Sequence, residues 1–168
     1  MLVVLSGLPG AGKSAVADEV GRLLPATVLP VDPIEAAIWR CGISPSFETG
    51  VAAYEVAAVL AQHQLRLGMP VIADAVNSLE VARDMWRQAA TDAGVPVRVI
   101  EVLCSDPELH RSRLATRVRT IDGFPEPTWD EVCARRSEWQ EWQQERLVLD
   151  SIDPLADNVD RALAYLRS

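Results

Sequence analysis

An α/β fold, with a parallel sheet covered by helices on both faces, is predicted by three features of the sequence. Five short apolar runs rich in Val, Ile and Leu alternate with longer stretches of helical spacing. The first of these runs is continuously apolar rather than alternating, as strands buried on both faces are. Polar residues collect at or just after the ends of the runs, at Gly7, Asp32, Asp74, Ser105 and Asp150. Ligands of parallel sheets bind outside those carboxyl ends, so the chemistry is expected along one edge.

The elements follow in order. Residues 2–5 read as a buried strand, broken by glycines at 7–12, and residues 13–24 continue as a helix. Residues 27–31 form a second strand, ended by Asp32-Pro33, and a helix then runs to about Cys41, where Gly42 stops it. After a loop at 45–49, an Ala-rich helix spans 48–67 and stops at Gly68. The third strand, 71–73, ends on Asp74, and Ser78 is placed to cap a helix to about Ala93. Residues 97–103 are the fourth strand, and Asp106-Pro107 opens a helix with proline at its first position. A loop containing Gly123, Pro125 and Pro127 leads to Thr128 and Glu131, which have capping-box spacing. That helix is expected to reach about Glu145, before a fifth strand at 147–149 and a last helix from Asp153-Pro154.

The bulk composition bounds the reading. A chain of 168 residues, 49% hydrophobic, suits one domain with its own core. With 24 acidic against 16 basic residues and a net charge of −8, a broad nucleic-acid surface is disfavoured. Cys41, Cys104 and Cys133 match no zinc or redox spacing and fit a reducing interior. No basic leader precedes the first strand and no run approaches the ~20 apolar residues of a membrane span, so a cytoplasmic location is the expectation.

Residues 7–14, Gly-Leu-Pro-Gly-Ala-Gly-Lys-Ser, match G-x-x-x-x-G-K-S. Its four fixed positions occur by chance in roughly one chain of this length in a hundred or more. Here the motif also lies between a strand and a helix. The glycines let successive N–H groups turn toward phosphate oxygens, and the helix adds its positive end. Lys13 reaches the β- and γ-phosphates, and the Ser14 hydroxyl binds Mg²⁺. The nucleotide-contacting set is therefore Gly7, Leu8, Pro9, Gly10, Ala11, Gly12, Lys13, Ser14 and Ala15, with ATP and Mg²⁺ as ligands.

Asp74 ends the third strand and is a candidate for the metal shell if that strand lies beside the first, or else a cap. Asp32 is a candidate general base toward an attacking hydroxyl, or the N-cap of the following helix. Glu35, three residues on, either lines the acceptor pocket or favourably charges a helix N-terminus. Trp39 is a candidate at the edge of that pocket. Arg111, Arg113, Arg117 and Arg119 crowd one helix and its exit. Arg113 and Arg117 share a face and are read as part of a lid over the triphosphate, at about residues 111–127, or as a solvated basic face. The remaining tryptophans are read as packing residues, and His63 and His110 as surface or helix-packing residues. Ser6 is read as packing or capping.

The loop at 7–14, Asp32, Asp74 and the arginines at 111–119 together resemble the small P-loop kinases. Within them, Val31-Asp-Pro-Ile-Glu-Ala-Ala37, Ala73-Asp-Ala-Val-Asn77 and Gly123-Phe-Pro-Glu-Pro-Thr-Trp129 resemble the AAA-type "predicted kinase" group. That group is similar to chloramphenicol phosphotransferase, gluconate kinase, adenylylsulfate kinase, zeta toxins and the kinase domain of polynucleotide kinase. The resemblance implies a three-layer P-loop NTPase fold with strand order 2-3-1-4-5, which would put Asp74 beside Ser14. It implies that Asp32 matches the acceptor-hydroxyl base, and that adenine rests near residues 151–154 and the lid arginines. Polynucleotide kinases carry arginine three residues after that aspartate, and here the position is Glu35. The expectation is a phosphotransferase acting on a small neutral or cationic hydroxyl compound. A kinase for nucleic-acid 5′-ends, or a nucleotide-binding module with weak ATPase activity, are the alternatives.

Overall fold

Five strands form one parallel sheet: β1 (Leu2–Ser6), β2 (Thr27–Pro30), β3 (Val71–Asp74), β4 (Val97–Leu103) and β5 (Leu147–Asp150). Their order is β2-β3-β1-β4-β5, the order that the resemblance implies. The structure is a computed structural model that describes residues 1–117 and 121–168. Between the strands run α1 (Lys13–Leu23), α2 (Val31–Arg40), α3 (Phe47–Arg66), α4 (Glu80–Ala93), α5 (Pro107–Thr116) and α6 (Trp129–Ser137), and α7 (Leu155–Arg167) follows β5. None of the described helices is long and apolar enough to cross a membrane.

The apolar run of β1 makes it central. Leu2 to Leu5 are all at most 1% exposed, because alternate residues enter different cores. Leu2 and Val4 join Val71, Ala73, Ala53, Ala57 and Trp86 under the α2–α3–α4 face. Val3 and Leu5 join Val16, Val20, Ile100 and Leu163 under α1 and α7. The register pairs Leu5 with Asp74 and Asp74 with Pro30, so β1, β3 and β2 end level with one another. β2 is an edge strand, and Pro30 stands at its end, where a missing N–H breaks no ladder.

Among the boundaries that the structure moves, four bear on how the site is built. The second strand stops at Pro30 rather than Val31, and Asp32 lies inside the first turn of α2 instead of capping it. Pro33 is tolerated there because N–H groups of a first turn have no intrahelical acceptor. Helix α3 begins one residue earlier than expected, with Ser46 and Thr49 forming a reciprocal cap. Ser78 does not cap α4. The cap residue is Leu79, and the Ser78 carbonyl accepts from Gln140 N instead. Finally, α6 ends at Ser137, well before the expected Glu145.

The last two corrections share one cause. The Arg83 side chain, fully buried in α4, donates to the carbonyls of Asn77, Ser78, Gln140 and Glu141 and stacks 4.0 Å from the Trp142 ring centroid. Those carbonyls at 140 and 141 must point inward, which a continuing helix forbids. The Gln140 side chain in turn accepts from Glu80 N at the start of α4. Replacing Arg83 by Ala strands several buried carbonyls, so Arg83→Ala is expected to lower unfolding stability by about 3 kcal/mol or more in urea titration.

Candidate active site

The level ends of β1 and β3 bring the phosphate loop and an acid together. From β1 the chain turns through residues 7–12, with φ of 149° at Gly7, 81° at Gly10 and 98° at Gly12. A Cβ on Gly7 would lie 2.1 Å from the Val102 carbonyl oxygen, so loop and β4 touch backbone to backbone. Gly12 is the N-cap of α1 in the left-handed region, which turns the first N–H groups of the helix toward the loop's hollow. Gly7 N donates to Val76 O at 3.1 Å and Ala11 N to Leu8 O at 3.1 Å, so the loop is bonded at both shoulders. Lys13 Nζ arches back to Leu8 O at 3.2 Å.

Ser14 Oγ donates to Asp74 Oδ2 at 2.6 Å, in the register that pairs Leu5 with Asp74. The other oxygen, Asp74 Oδ1, is buried and has no hydrogen-bond partner. Burial raises the Asp74 pKa. The Lys13 charge and the Ser14 hydrogen bond oppose that rise, while Asp32 and Asp18 add to it. A buried carboxylate oxygen with an open lone pair beside a hydroxyl fits a hard divalent cation. Among the described residues no group of three or more His, Cys, Asp or Glu could hold a metal. One hydroxyl and one carboxylate are the donor set of a Mg²⁺ ion completed by phosphate oxygens and water.

On the β2 side, burial raises the pKa values of Asp74, Glu35 and Tyr54, and the negative charge of Asp32 adds to each rise, so Asp32 lies near all three. Glu35 is half-buried, and burial raises its pKa. A 3.1 Å hydrogen bond from Thr49 Oγ1 opposes that shift, Asp32 adds to it, and Arg135 on α6 opposes it. Trp39 Nε1 donates to the same Thr49 hydroxyl at 2.9 Å. Its ring stacks on Phe124, with centroids 4.6 Å apart. Asp32, Glu35 and Trp39 therefore gather with Thr49, Phe124 and Arg135 at one end of the sheet.

The arginines go elsewhere. Arg113 donates to Ser151 Oγ at 2.8 Å and to Ser151 O at 2.9 Å, holding the β5–α7 loop. Ser151 Cβ in turn would lie 3.3 Å from a Cβ on Gly12. Arg117 pairs with Glu126 through its Nε and Nη2. Arg111 is exposed, and Arg119 lies outside the described residues.

His110, read from the sequence as a surface or helix-packing residue, is buried beneath the phosphate loop. Its Nε2 lies 2.8 Å from Pro9 O and its Nδ1 3.4 Å from Arg136 Nη2, and Trp129 meets the ring edge-on. Arg136 can only donate, so Nδ1 accepts and Nε2–H donates to the loop. Burial holds the His110 pKa below its ordinary value, which maintains that neutral form. The signal was present in the sequence: His110 and Leu114, four apart, are the inward positions of an otherwise polar α5. A cavity of about 450 Å³ opens beside the loop, between Gly7, Leu8, Cys104, His110, Arg136 and Trp139.

A phosphate loop at the end of a central parallel strand, with a hydroxyl–carboxylate pair beside it, defines a nucleotide-binding fold of the P-loop kinase type. Residues 2–139 match the AAA domain family, and the chain belongs to it. Solved structures share its fold over nearly the whole chain. A sugar kinase from Janibacter sp. HTCC2649 is 20% identical with a TM-score of 0.74, covering 99% of this chain and 94% of that one. The APS kinase of Mycobacterium tuberculosis, in complex with AMPPNP and APS, is 20% identical with a TM-score of 0.73, covering 99% and 97%. A gluconokinase from Sinorhizobium meliloti 1021 is 18% identical with a TM-score of 0.69, covering 98% and 90%. No curated protein matches the sequence.

Gly7→Ala would drive a methyl group into the Val102 carbonyl, 2.1 Å away. It is expected to weaken ATP binding at least ~10-fold in isothermal titration, with a lowered thermal midpoint.

Proposed function

We propose that this protein is a phosphotransferase that moves the γ-phosphoryl group of ATP to a hydroxyl of a small molecule. The observation that carries the reading is an acid at the end of β3, beside the phosphate loop, with a second acid in the first turn of α2 just after β2. Asp74 bonds Ser14 and keeps one buried oxygen unpartnered, and Asp32, in the first turn of α2, lies close enough for its charge to act on Asp74.

In this reading the phosphate loop and α1 hold the triphosphate, with Lys13 on its β- and γ-oxygens. Mg²⁺, when bound by Ser14 and Asp74, would neutralise charge on the phosphates. Asp32 accepts the proton of the acceptor hydroxyl as that oxygen bonds to the γ-phosphorus. The bond from that phosphorus to the bridging oxygen breaks, and ADP carries away the electron pair. Arg113, bonded to Ser151 beside Gly12, and Arg117, paired with Glu126, are assigned in this reading to transition-state charge, as part of a lid at about residues 111–127. The whole of residues 1–168 acts as one domain in this scheme.

Asp32, Glu35 and Trp39 form the acceptor side. In this reading the carboxylates of Asp32 and Glu35 on the acceptor side favour a neutral or cationic compound over a phosphorylated one. The stacked Trp39–Phe124 pair offers a flat apolar edge of the kind that sugar rings and aromatic groups pack on. The sugar kinase and the gluconokinase among the fold neighbours lend support to a polyhydroxylated acceptor.

The reading is tested by screening neutral and cationic hydroxyl compounds for acceptor-dependent ADP release, with phosphorylated compounds and a 5′-hydroxyl oligonucleotide alongside. Turnover confined to anionic acceptors, or ATP hydrolysis indifferent to every acceptor, would overturn it. Lys13→Ala is expected to abolish ATP binding measured by calorimetry. Asp32→Asn is expected to keep ATP affinity and cut transfer by ~10²–10⁴-fold. An Asp32→Asn protein with full transfer would remove Asp32 from the chemistry.

A further inference from the structure

Helix α3 is built inside out. Its buried positions are Thr49, Ala53, Ala57, Ala58, Ala61 and Leu65, nearly all small. Its larger apolar side chains point away from the sheet: Val56, Val59 and Leu60 are 44%, 57% and 46% exposed. A surface helix normally does the reverse, and a helix apolar all round is one that is covered on all sides. The outward positions 52, 56, 59, 60, 63 and 67 recur at three- and four-residue spacing, so they form one continuous stripe. The stripe does not stop at α3. Between it and α4 lies a groove of about 630 Å³, in which Val59, Val81, which is 62% exposed, and Met85 lie among polar residues such as Glu55, Asp84 and Arg87. No described segment of the chain covers this face.

The charges along α3 indicate what does. Glu48 and Glu55 lie in its N-terminal half, and the Arg66 cation with the hydrogen-bonding ring of His63 in its C-terminal half, all at the border of the stripe or on it. Such a face repels a parallel copy of itself and complements an antiparallel one. With a two-fold axis at Val59, Glu55 of one copy falls opposite His63 of the other, and Arg66 falls opposite Ala52, just over one turn from Glu48. A pair of 20-residue helices is short of the ~800 Å² per partner of a standard interface, so the α4 flank is part of the contact.

We propose that the outward face of α3, with Val81 and Met85 of α4, is the interface of a two-fold homodimer whose α3 helices pack antiparallel. The dimer would bear on the acceptor side. The first turn of α3 carries Thr49, whose hydroxyl holds both Glu35 and Trp39, so packing on α3 steadies those side chains.

Sedimentation velocity on the full chain, up to ~100 μM, reads the proposal directly. The wild type is expected to form a dimer, and Val59→Glu to raise its dissociation constant at least ~10-fold with an unchanged circular dichroism spectrum. Charge exchange provides a second reading that disturbs no apolar contact: Glu55→Lys weakens the dimer, and Glu55→Lys with His63→Glu restores it. A wild type that stays monomeric, a Val59→Glu protein that dimerises as well as wild type, or a double exchange that rescues nothing would overturn the interface.

Discussion

Everything at the functional edge hangs on Asn77. It is wholly buried and held at φ 53°, a left-handed conformation that asparagine tolerates better than most residues. Each of its polar groups is used. Its N–H donates to the Tyr54 hydroxyl at 3.2 Å, its side-chain N–H to Leu5 O at 2.7 Å, and its side-chain oxygen accepts from Trp86 Nε1 at 2.8 Å. Its carbonyl accepts from Arg83 Nε at 2.9 Å. One residue thus ties the end of β1 to α3, to α4 and, through Arg83, to the chain after α6. In a low-dielectric interior an unmade bond at any of these points is costly, so the junction holds as a unit.

The phosphate loop inherits its shape from that junction. Val76, next to Asn77, accepts from Gly7 N and from Ser6 Oγ, and Trp142 Nε1 donates to Ser6 Oγ in turn. On the other side, His110 holds Pro9 and the Val102 carbonyl presses against Gly7. The loop is therefore braced by polar bonds from β3, α5 and the 142 region before any ligand arrives. Such preorganisation is how backbone N–H groups can meet an anion without first being rearranged. Asp74 sits against the same brace, and its buried, unpartnered oxygen is the strain that a cation would relieve.

How much of this was legible depended on the range of the signal. Alternation of apolar runs and helical stretches located all five strands, most firmly β1 and β3, because a strand buried on both faces has no freedom in its composition. The G-x-x-x-x-G-K-S spacing located the loop, because glycine is required where β4 presses on it. Helix ends were less legible. The cap at Ser46 and the stop of α6 at Ser137 differ from the expected boundaries, the second through a buried guanidinium more than fifty residues away in sequence. The place of His110 under the phosphate loop was not legible for a similar reason, since its inward spacing with Leu114 signals burial but not what it holds. A lone histidine has no local partner pattern, and its partners Pro9 and Arg136 come from two other elements.

The sequence by itself determined the parallel α/β architecture, the phosphate loop and the set of acids at the strand ends. Those features depend on residue type at short spacing, and short-range sterics and burial leave few alternatives. Only the tertiary structure decided which of them meet. The β2-β3-β1-β4-β5 order and its level register bring Asp74 to Ser14, carry Asp32 within electrostatic reach of Asp74, and turn Arg113 toward Ser151. Strand order is set by how helices cover two faces of a sheet at once, a long-range packing choice that no single stretch of sequence contains.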